Sequence, residues 1–308
     1  MKFNLDDLYQ IESGASYKKI YRFKNKNIGK VVVNFSYNHN DYLSFLEVNN
    51  FLSNINISVP KIFYSDHDKS IIIMEDFGDI RYDKLINSID PKEILIDAVN
   101  SLIEIQNRQK PIINNIIKQY DFSSFKTEIA EFVDFYLPKN NISDDMAEEF
   151  FDIWSNEFKN LNFKWDSFVH KDYELSNLIH LPKRNNHLKC GIIDFQNAFI
   201  GFSGWDVFSL LENPRIYFDD KYNDELLEYF FNKTDQNISI KEFLNQYYFL
   251  NTARQTRIIG RWINLDNKNK NKNNYSKYLN VTIKRLKKSL YNLQNKKLSK
   301  LYDTLIVE

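Results

Sequence analysis

Two patterns of apolar positions divide this chain of 308 residues into a strand-rich beginning and a helix-rich remainder. Near the start, short runs rich in β-branched and aromatic residues alternate with polar turns, which is typical of β-strands; the runs cover residues 19–23, 30–35, 59–64 and 70–75. Farther along, apolar side chains recur every three or four residues, as on the buried faces of helices; two such faces contain Leu95, Ala98, Leu102 and Ile105, and Met146, Phe150, Ile153, Trp154, Phe158 and Leu161.

This order of elements predicts an α+β protein with a small antiparallel sheet in an N-terminal lobe and a larger, mainly helical C-terminal lobe. The last apolar run of the sheet ends at Glu75, so we place a hinge at residues 75–78 and the two lobes at residues 1–78 and 79–308. Residues 1–10 are predicted to form a short helical lead-in, and residues 40–53 a helix of the first lobe.

The strongest chemical signal is the sequence His170-Lys171-Asp172, followed by Asn177 and, after an apolar segment, by Asp194. The spacing H-x-D-x-x-x-x-N, then an apolar strand that ends in Asp-Phe, is the arrangement of a phosphoryl-transfer site. Asp172 can accept the proton of an attacking hydroxyl group. Asn177 and Asp194 offer the hard oxygen ligands that suit a Mg²⁺ ion bridging nucleotide phosphates. The pattern therefore predicts a phosphotransferase that uses ATP and Mg²⁺.

Each part of this pattern also has an ordinary structural explanation. An isolated H-x-D is often a capped turn, and Asp-Phe after an apolar run is often a strand that leaves the core. The presence of all three parts in this order favours the phosphotransferase site. His170 itself is expected to be structural, since it should lie in the core beneath the loop and hydrogen-bond to the backbone.

Two stretches of the predicted N-terminal lobe are candidates for nucleotide binding. One is a loop of small residues ahead of a strand, which can cover phosphates with its backbone N–H groups but also fits an ordinary hairpin turn; it consists of Ser13, Gly14, Ala15 and Ser16. The other is the predicted hinge, where backbone groups around Met74, Glu75 and Phe77 could bond to a nucleotide base.

Composition and charge narrow the class of partner. The 41 basic residues balance the 41 acidic ones, so no global feature indicates nucleic acid or an anionic membrane. The single cysteine, Cys190, excludes an internal disulfide and is predicted to be a small buried hydrophobe. Neither a signal-peptide pattern nor a membrane-length apolar run is present. We expect a cytoplasmic monomer that binds a small-molecule substrate.

A row of basic residues lies on the predicted helix over residues 240–265. Arg254, Arg257 and Arg261 follow each other at helical spacing, so they share one face. Such a face is either a solvated surface or a wall that faces an anionic ligand, and the sequence leaves both open.

Four stretches of the chain, at residues 14–17, 75–79, 194–201 and 254–262, share a pattern with one known family. They read Gly-Ala-Ser-Tyr, Glu-Asp-Phe-Gly-Asp, Asp-Phe-Gln-Asn-Ala-Phe-Ile-Gly and Arg-Gln-Thr-Arg-Ile-Ile-Gly-Arg-Trp. Over most of its length the chain resembles the aminoglycoside phosphotransferase family, which shares the protein-kinase-like fold. More narrowly, it resembles the bacterial kinases that phosphorylate N-acetylmuramate and N-acetylglucosamine at the anomeric hydroxyl during the recycling of cell-wall sugars.

The resemblance implies that Asp172 is the base and that Asn177 and Asp194 bind magnesium. It also implies transfer of the γ-phosphate of ATP to a hydroxyl group of a small polar metabolite, with the anomeric hydroxyl of an N-acetylated amino sugar as the first expectation. In this scheme the N-terminal lobe binds the nucleotide, and the C-terminal lobe holds the catalytic loop and the acceptor.

The third strand departs from the kinase pattern. Protein kinases carry a phosphate-pairing lysine there, whereas this chain has valines at the inner positions, residues 31–33. Either that lysine is missing, as the resemblance to the sugar kinases implies, or Lys30 replaces it from an unusual place. Since Glu47 on the helix over residues 40–53 lacks an evident lysine partner, it is predicted to be a solvated glutamate.

Two further departures lie near where the resemblance places the acceptor. Glu174 follows the catalytic aspartate where the family often has histidine, and Glu212, with Arg215 close behind, stands where the sugar kinases tend to have Leu-Arg-Asp. Together with Arg254 and Arg257 of the arginine row, these are the candidate acceptor-binding residues.

Three other functions stay open. A family kinase for an aminoglycoside, a choline-like amine or a homoserine-like alcohol could use Glu174 and Glu212 for a cationic acceptor, whereas the arginine row suits an anionic one. A non-catalytic nucleotide-binding module is favoured by the missing lysine and opposed by the complete catalytic pattern. A protein kinase ranks last, because the stretch between Asp194 and Asp206 is too short to dock a peptide.

Overall fold

The computed structural model describes residues 5–11, 18–109, 117–161, 165–216, 218–268 and 274–306. The strands are β1 (Leu8–Ile11), β2 (Lys19–Phe23), β3 (Lys30–Asn34), β4 (Ile62–Asp66), β5 (Ile71–Glu75), β6 (Ser167–Val169), β7 (Leu178–His180), β8 (Cys190–Ile192) and β9 (Phe199–Gly201). The helices are α1 (His39–Asn54), α2 (Tyr82–Leu85), α3 (Pro91–Arg108), α4 (Phe122–Glu131), α5 (Leu137–Lys139), α6 (Asp144–Lys159), α7 (Trp205–Leu211), α8 (Asp220–Lys233), α9 (Ile240–Lys268), α10 (Leu279–Leu293) and α11 (Lys296–Leu305).

Within the described part of the chain, the first five strands form one antiparallel sheet in the order β1-β2-β3-β5-β4. The central pair β3–β5 aligns Val31 with Met74 and Val33 with Ile72, so the two most apolar strands lie side by side. The largely helical remainder follows this sheet. The predicted α+β class with an N-terminal antiparallel sheet is therefore confirmed.

The helical lead-in predicted for residues 1–10 is limited, within the described residues, to one 3₁₀ turn at Leu5–Asp7, and the prediction was wrong from Leu8 onward. Leu8–Ile11 is the edge strand β1 and pairs with β2, placing Leu8 opposite Phe23. Leu8 and Phe23 are both buried, in a small cluster with Val32 and Ile73. The pairing with β2 decides the conformation, because four residues are too few for a local pattern to distinguish a strand from a helical turn.

The described residues group into two compact units, each built from several segments. The first holds the five-stranded sheet, α1–α3 and the hairpin β7–β8; it comprises Met1–Lys118, Phe168–Phe199 and Asp224–Asp235. The second holds α4–α7 and α9–α11; it comprises Gln119–Ser167, Ile200–Asn223 and Gln236–Glu308. The lobe boundary after residue 78 stays a prediction.

Helices α1 and α3 of the first unit begin at side-chain caps, and α3 buries its predicted face. Asn38 accepts hydrogen bonds from two backbone N–H groups in the first turn of α1, and Asp90 caps α3 ahead of Pro91. Such caps satisfy N–H groups that have no partner within the helix. The predicted face of α3, from Leu95 to Ile105, is buried.

The second unit is organised around α9. Phe249 of α9 packs with Phe125 of α4 and Trp154 of α6. Trp154 also contacts Phe125 and Tyr302 of α11, so it lies at the centre of an aromatic cluster. Phe150 and Trp154 of the predicted α6 face are fully buried. Among the described helices, none is long and apolar enough to cross a lipid bilayer.

Candidate active site

The predicted catalytic loop lies between β6 and β7 and is closed by its own backbone. The main chain of Lys171 has a φ of 80°, a conformation that lysine rarely adopts and that marks a constrained turn. Nδ2 of Asn177 donates to the main-chain oxygen of Asp172 over 2.9 Å. This bond commits the amide nitrogen and leaves the carboxamide oxygen of Asn177 available as a ligand. Asp172 and Asn177 are thus fixed relative to each other, as the spacing predicts.

Asp194 is tied to the same loop through the residue before it. The N–H of Ile193 donates to the main-chain oxygen of Asn177 over 3.1 Å. Asp194 has a φ of 68°, so the chain turns sharply after β8. Two backbone-directed hydrogen bonds therefore connect Asp172 to Asn177 and Asn177 to the segment that carries Asp194. The structure brings together the three residues that the sequence pattern singles out.

His170 lies beneath this loop, as predicted. Its side chain is fully buried, and Nε2 donates to the main-chain oxygen of Ile193 over 3.0 Å. The imidazole therefore links the start of the catalytic loop to the end of β8. Burial lowers the pKa of His170 below its ordinary value of 6.5, although the negative charge of Asp172 acts in the opposite direction.

The buried, neutral His170 predicts a pH dependence of stability. The unfolded chain takes up a proton at this histidine below about pH 6.5, whereas the folded chain does not until a lower pH. The stabilisation that depends on a neutral His170 is thus fully present above pH 6.5. Below that value the free energy of unfolding should fall as pH is lowered, by at most about 1.4 kcal/mol per pH unit. Urea unfolding of wild type and His170→Asn between pH 5 and 7.5 measures the difference; equal pH slopes would contradict it.

The carboxylate of Asp194 has a cationic partner from the beginning of β2. Nζ of Lys18 forms an ion pair with Oδ1 of Asp194, and Nε2 of Gln196 donates to the same oxygen over 3.0 Å. Burial alone would raise the pKa of Asp194, but the charge of Lys18 and the hydrogen bonds from Lys18 and Gln196 hold it below its ordinary value. The carboxylate is therefore ionised at neutral pH.

Helix α1 supports this segment from one side. The ring of Phe45 stacks on Phe195, with the ring centroids 4.7 Å apart, and Oγ of Ser44 donates to the main-chain oxygen of Gln196 over 2.6 Å. Glu47, which is predicted to be solvated, is only partly exposed. Its Oε2 is buried without a hydrogen-bond partner among the described residues, and burial raises its pKa.

The predicted hinge segment is held by two arginines. Arg22 of β2 donates to Asp76 over 2.9 Å and to Asp79 over 2.7 Å. Arg184, in the turn of the β7–β8 hairpin, donates to Glu75 over 2.7 Å. Both contacts join residues far apart in sequence, so neither could be predicted from local spacing. They fix the backbone that the sequence analysis assigns to the nucleotide base.

The ring of Phe77 packs directly on the hairpin that leads to Asp194. A Cβ atom at Gly191 of β8 would lie 2.8 Å from the ring of Phe77 and 2.8 Å from the side chain of Leu181, so a larger residue would displace the ring. The guanidinium of Arg184 lies 5.0 Å from the ring centroid. Met74, at the end of β5, is buried. Met74, Glu75 and Phe77 therefore lie in the same unit as the catalytic loop.

The other predicted nucleotide-binding residues, Ser13, Gly14, Ala15 and Ser16, fall outside the described residues, so their role remains a prediction. The inner positions of β3 are buried valines, as predicted. Nζ of Lys30 lies over the ring of Phe63, 4.4 Å from its centroid. Lys18 was not among the predicted site residues, because a lysine beside a strand is ordinarily a solvated surface residue.

The predicted acceptor residues lie in both units and already have protein partners. Glu174, in the first unit, accepts from Oγ of Ser176 over 2.9 Å. In the second unit, Glu212 is buried and forms an ion pair with Arg285 of α10. The guanidinium of Arg215 lies 5.0 Å from the ring centroid of Trp262. A role in acceptor binding stays a prediction for each of them.

Arg254 and Arg257 of the arginine row on α9 are covered by other parts of the protein, whereas the side chain of Arg261 is 47% exposed. Arg254 is buried, and Arg257 and Arg261 pair with Glu128 and Glu131 of α4 over 3.3 and 3.4 Å. Both pairs lie within the second unit and hold α9 against α4. A role of Arg254 and Arg257 toward an anionic ligand stays a prediction.

The donor set at the loop fits a magnesium ion that is shared with phosphates. Asn177 and Asp194 provide one carboxamide and one carboxylate oxygen, the hard ligands that Mg²⁺ prefers. Among the described residues, no group of three or more His, Cys, Asp or Glu could form a complete metal cage. Two protein oxygens are enough for an ion whose other ligands are phosphate and water.

Comparisons with known proteins agree with this geometry. The model of a family described as "Phosphotransferase enzyme family" matches residues 7–238. An N-acetylmuramate/N-acetylglucosamine kinase of Caulobacter vibrioides is 27% identical over 213 residues, which are 66% of this chain and 58% of that protein. A protein of the same name from Pseudomonas aeruginosa is 23% identical over 263 residues, which are 82% of this chain and 75% of that protein.

A solved structure of an amicoumacin kinase in complex with AMP-PNP, Ca²⁺ and the ligand named Ami superposes with a TM-score of 0.63. The alignment covers 93% of this chain and 90% of that one, at 13% sequence identity. At this identity the likeness shows a shared fold, and it confirms the fold expected from the sequence.

Proposed function

Because this chain belongs to the phosphotransferase enzyme family, we propose that it transfers the γ-phosphate of ATP to the anomeric hydroxyl group of an N-acetylated amino sugar. One observation of the molecule carries the phosphotransfer part: hydrogen bonds connect Asp172 to Asn177 and Asn177 to Ile193, next to Asp194. A base and two hard metal ligands are thereby held on one rigid loop system. Phosphoryl transfer depends on such positioning and on charge neutralisation.

The proposed roles follow from the chemistry of each side chain. The carboxylate of Asp172 accepts the proton of the attacking hydroxyl group as the new P–O bond forms. The oxygens of Asn177 and Asp194 would hold Mg²⁺, which neutralises phosphate charge when bound. His170 keeps the loop and the end of β8 together through its bond to Ile193. The ligands named for amicoumacin kinase, AMP-PNP and Ca²⁺, support a nucleotide and a divalent cation here.

The choice of acceptor rests on the curated relatives. Two proteins named as N-acetylmuramate/N-acetylglucosamine kinases match this chain at 27% and 23% identity. The chain spans 58% of the length of the Caulobacter protein. Glu174, Glu212, Arg215, Arg254 and Arg257 are the residues that we propose to test for acceptor binding.

The proposal is tested by ADP release with Mg-ATP against N-acetylmuramate, N-acetylglucosamine, other hexoses, choline and kanamycin. We expect selective turnover of the N-acetylated sugars and an acid-labile anomeric phosphate as the product. Removal of Mg²⁺ with EDTA should abolish turnover, and added Mg²⁺ should restore it. Selective turnover of choline or kanamycin would overturn the sugar assignment and keep the phosphotransferase.

A further inference from the structure

Phosphate neutralisation needs a cation that β3 does not provide. Val31, Val32 and Val33 are buried in the sheet, with side-chain exposures of 5%, 3% and 1%. Lys30 precedes them, but its ammonium lies over the ring of Phe63, which is itself exposed. Neither the inner positions of β3 nor Lys30 therefore places a positive charge near Asp194.

Other basic side chains of β2 have different positions. Arg22 donates to Asp76 and Asp79 of the hinge segment, and its guanidinium is taken up by these two carboxylates. The ammonium of Lys19 lies 5.5 Å from the centroid of the Tyr37 ring. The charged groups of Arg22 and Lys19 therefore contact other residues than Asp194.

Lys18 occupies the position that the phosphate chemistry requires. Its side chain is only 11% exposed, its Nζ pairs with Oδ1 of Asp194, and the same atom lies 3.4 Å from Oε1 of Gln196. Gln196 is in turn held by Asp194 and by Ser44 of α1. The ammonium group is thus fixed at the carboxylate proposed as a metal ligand, and phosphates that share that metal come within reach of the ammonium.

The carboxylate of Asp41 on α1 also interacts electrostatically with Lys18. Asp41 lies one helical turn before Phe45, which stacks on Phe195. Burial raises the pKa of Asp41, and the positive charge of Lys18 counteracts that rise. The carboxylate of Asp41 is thus attracted by the charge of Lys18, while the ion pair of Lys18 is with Asp194.

We propose that Lys18 replaces the lysine missing from β3 and neutralises the non-transferred phosphates of the bound nucleotide. The inference rests on the proposed function in that the ligand is a nucleoside triphosphate, and it is independent of the acceptor. The cation reaches the phosphates from the first residue ahead of β2 instead of from β3. In this proposal a kinase site does not need a lysine on β3, where the inner positions are three buried valines.

Isothermal titration with Mg-ATP and with adenosine tests the proposal, since adenosine has the base and lacks the phosphates. For Lys18→Met we expect the affinity for Mg-ATP to fall about 10- to 100-fold, the effect of losing a charged hydrogen bond, while the affinity for adenosine stays within about threefold. Lys18→Arg should recover part of the loss, because it keeps the charge with a different geometry. Lys19→Met is the matched control and should bind both ligands as wild type does.

Three results with the variants would overturn the proposal. Lys18→Met could bind Mg-ATP as wild type does, it could lose ATP and adenosine equally, or Lys30→Met could show the selective loss instead. Equal loss of both ligands would indicate a structural role for the Lys18–Asp194 pair. Absence of ATP binding by wild type would overturn the proposal together with the phosphotransferase function. Selective loss in Lys18→Met, combined with no turnover of any amino sugar by wild type, would support Lys18 and reject the proposed acceptor.

Discussion

Replacing Asp172 by asparagine should lower kcat at least about 1,000-fold and leave the affinity for Mg-ATP within about threefold. The carboxamide has nearly the same volume as the carboxylate but does not accept the proton of the attacking hydroxyl group. The bond from Nδ2 of Asn177 goes to the main-chain oxygen of Asp172, so the substitution leaves the loop closed. Coupled ADP release measures kcat, and titration calorimetry measures the nucleotide affinity.

Glu174→Gln is the matched control for this experiment. It removes a carboxylate from the same loop, where Glu174 accepts from Oγ of Ser176. At saturating acceptor we expect its kcat to stay within about tenfold of wild type, since loss of a general base typically costs 100- to 10,000-fold, whereas loss of an acceptor contact raises KM. Wild-type kcat in Asp172→Asn, or a larger loss in Glu174→Gln, would show that the base is not Asp172.

The features that could be predicted from the sequence are those formed by residues close to each other in the chain. Asp172 and Asn177 lie in one loop, and the hydrogen bond between them spans five residues. The face of α3 from Leu95 to Ile105 follows from periodicity alone, because burial selects apolar residues at helical spacing. These features depend on neighbours in sequence, so their pattern is visible without tertiary structure.

The contacts that sequence could not predict join residues far apart in the chain. Lys18 and Asp194 are separated by 176 positions, and a lone lysine beside a strand gives no sign of its partner. The same holds for Arg22, whose acceptors Asp76 and Asp79 belong to the hinge segment. Which cation meets which carboxylate is decided by strand order, and strand order depends on the packing of the whole sheet.

For the arginine row of α9, the sequence predicts the shared helix face but not the partners of the arginines on α4. Helical spacing places Arg257 and Arg261 on one face. Their partners Glu128 and Glu131 lie 129 and 130 residues earlier, on α4, where helical spacing also places them on one face. Two matching pairs between the helices therefore hold this face, and only the fold brings the two segments together.

Gly260 of α9 should be irreplaceable even by alanine. A Cβ atom at this position would lie 2.0 Å from the main-chain oxygen of Glu131 and 2.6 Å from the main-chain nitrogen of Phe132. These atoms belong to the end of α4 and to the π-helical turn that follows it, so no side-chain rotation relieves the overlap. We expect Gly260→Ala to lower the free energy of unfolding by more than about 3 kcal/mol, measured by urea unfolding.

The sign of this effect separates close packing from helix propensity. Alanine in place of glycine favours a helix by about 1 kcal/mol where nothing is in contact, so propensity alone predicts a more stable protein. Asn245→Ala, at an exposed position of α9, is the control for propensity and should be neutral or slightly stabilising. Glu131→Ala should not rescue Gly260→Ala, because the overlap is with the main chain of Glu131, which the substitution does not change. If Gly260→Ala is as stable as wild type, α9 does not approach the backbone of α4 so closely. The presence of glycine at position 260 would then have another reason.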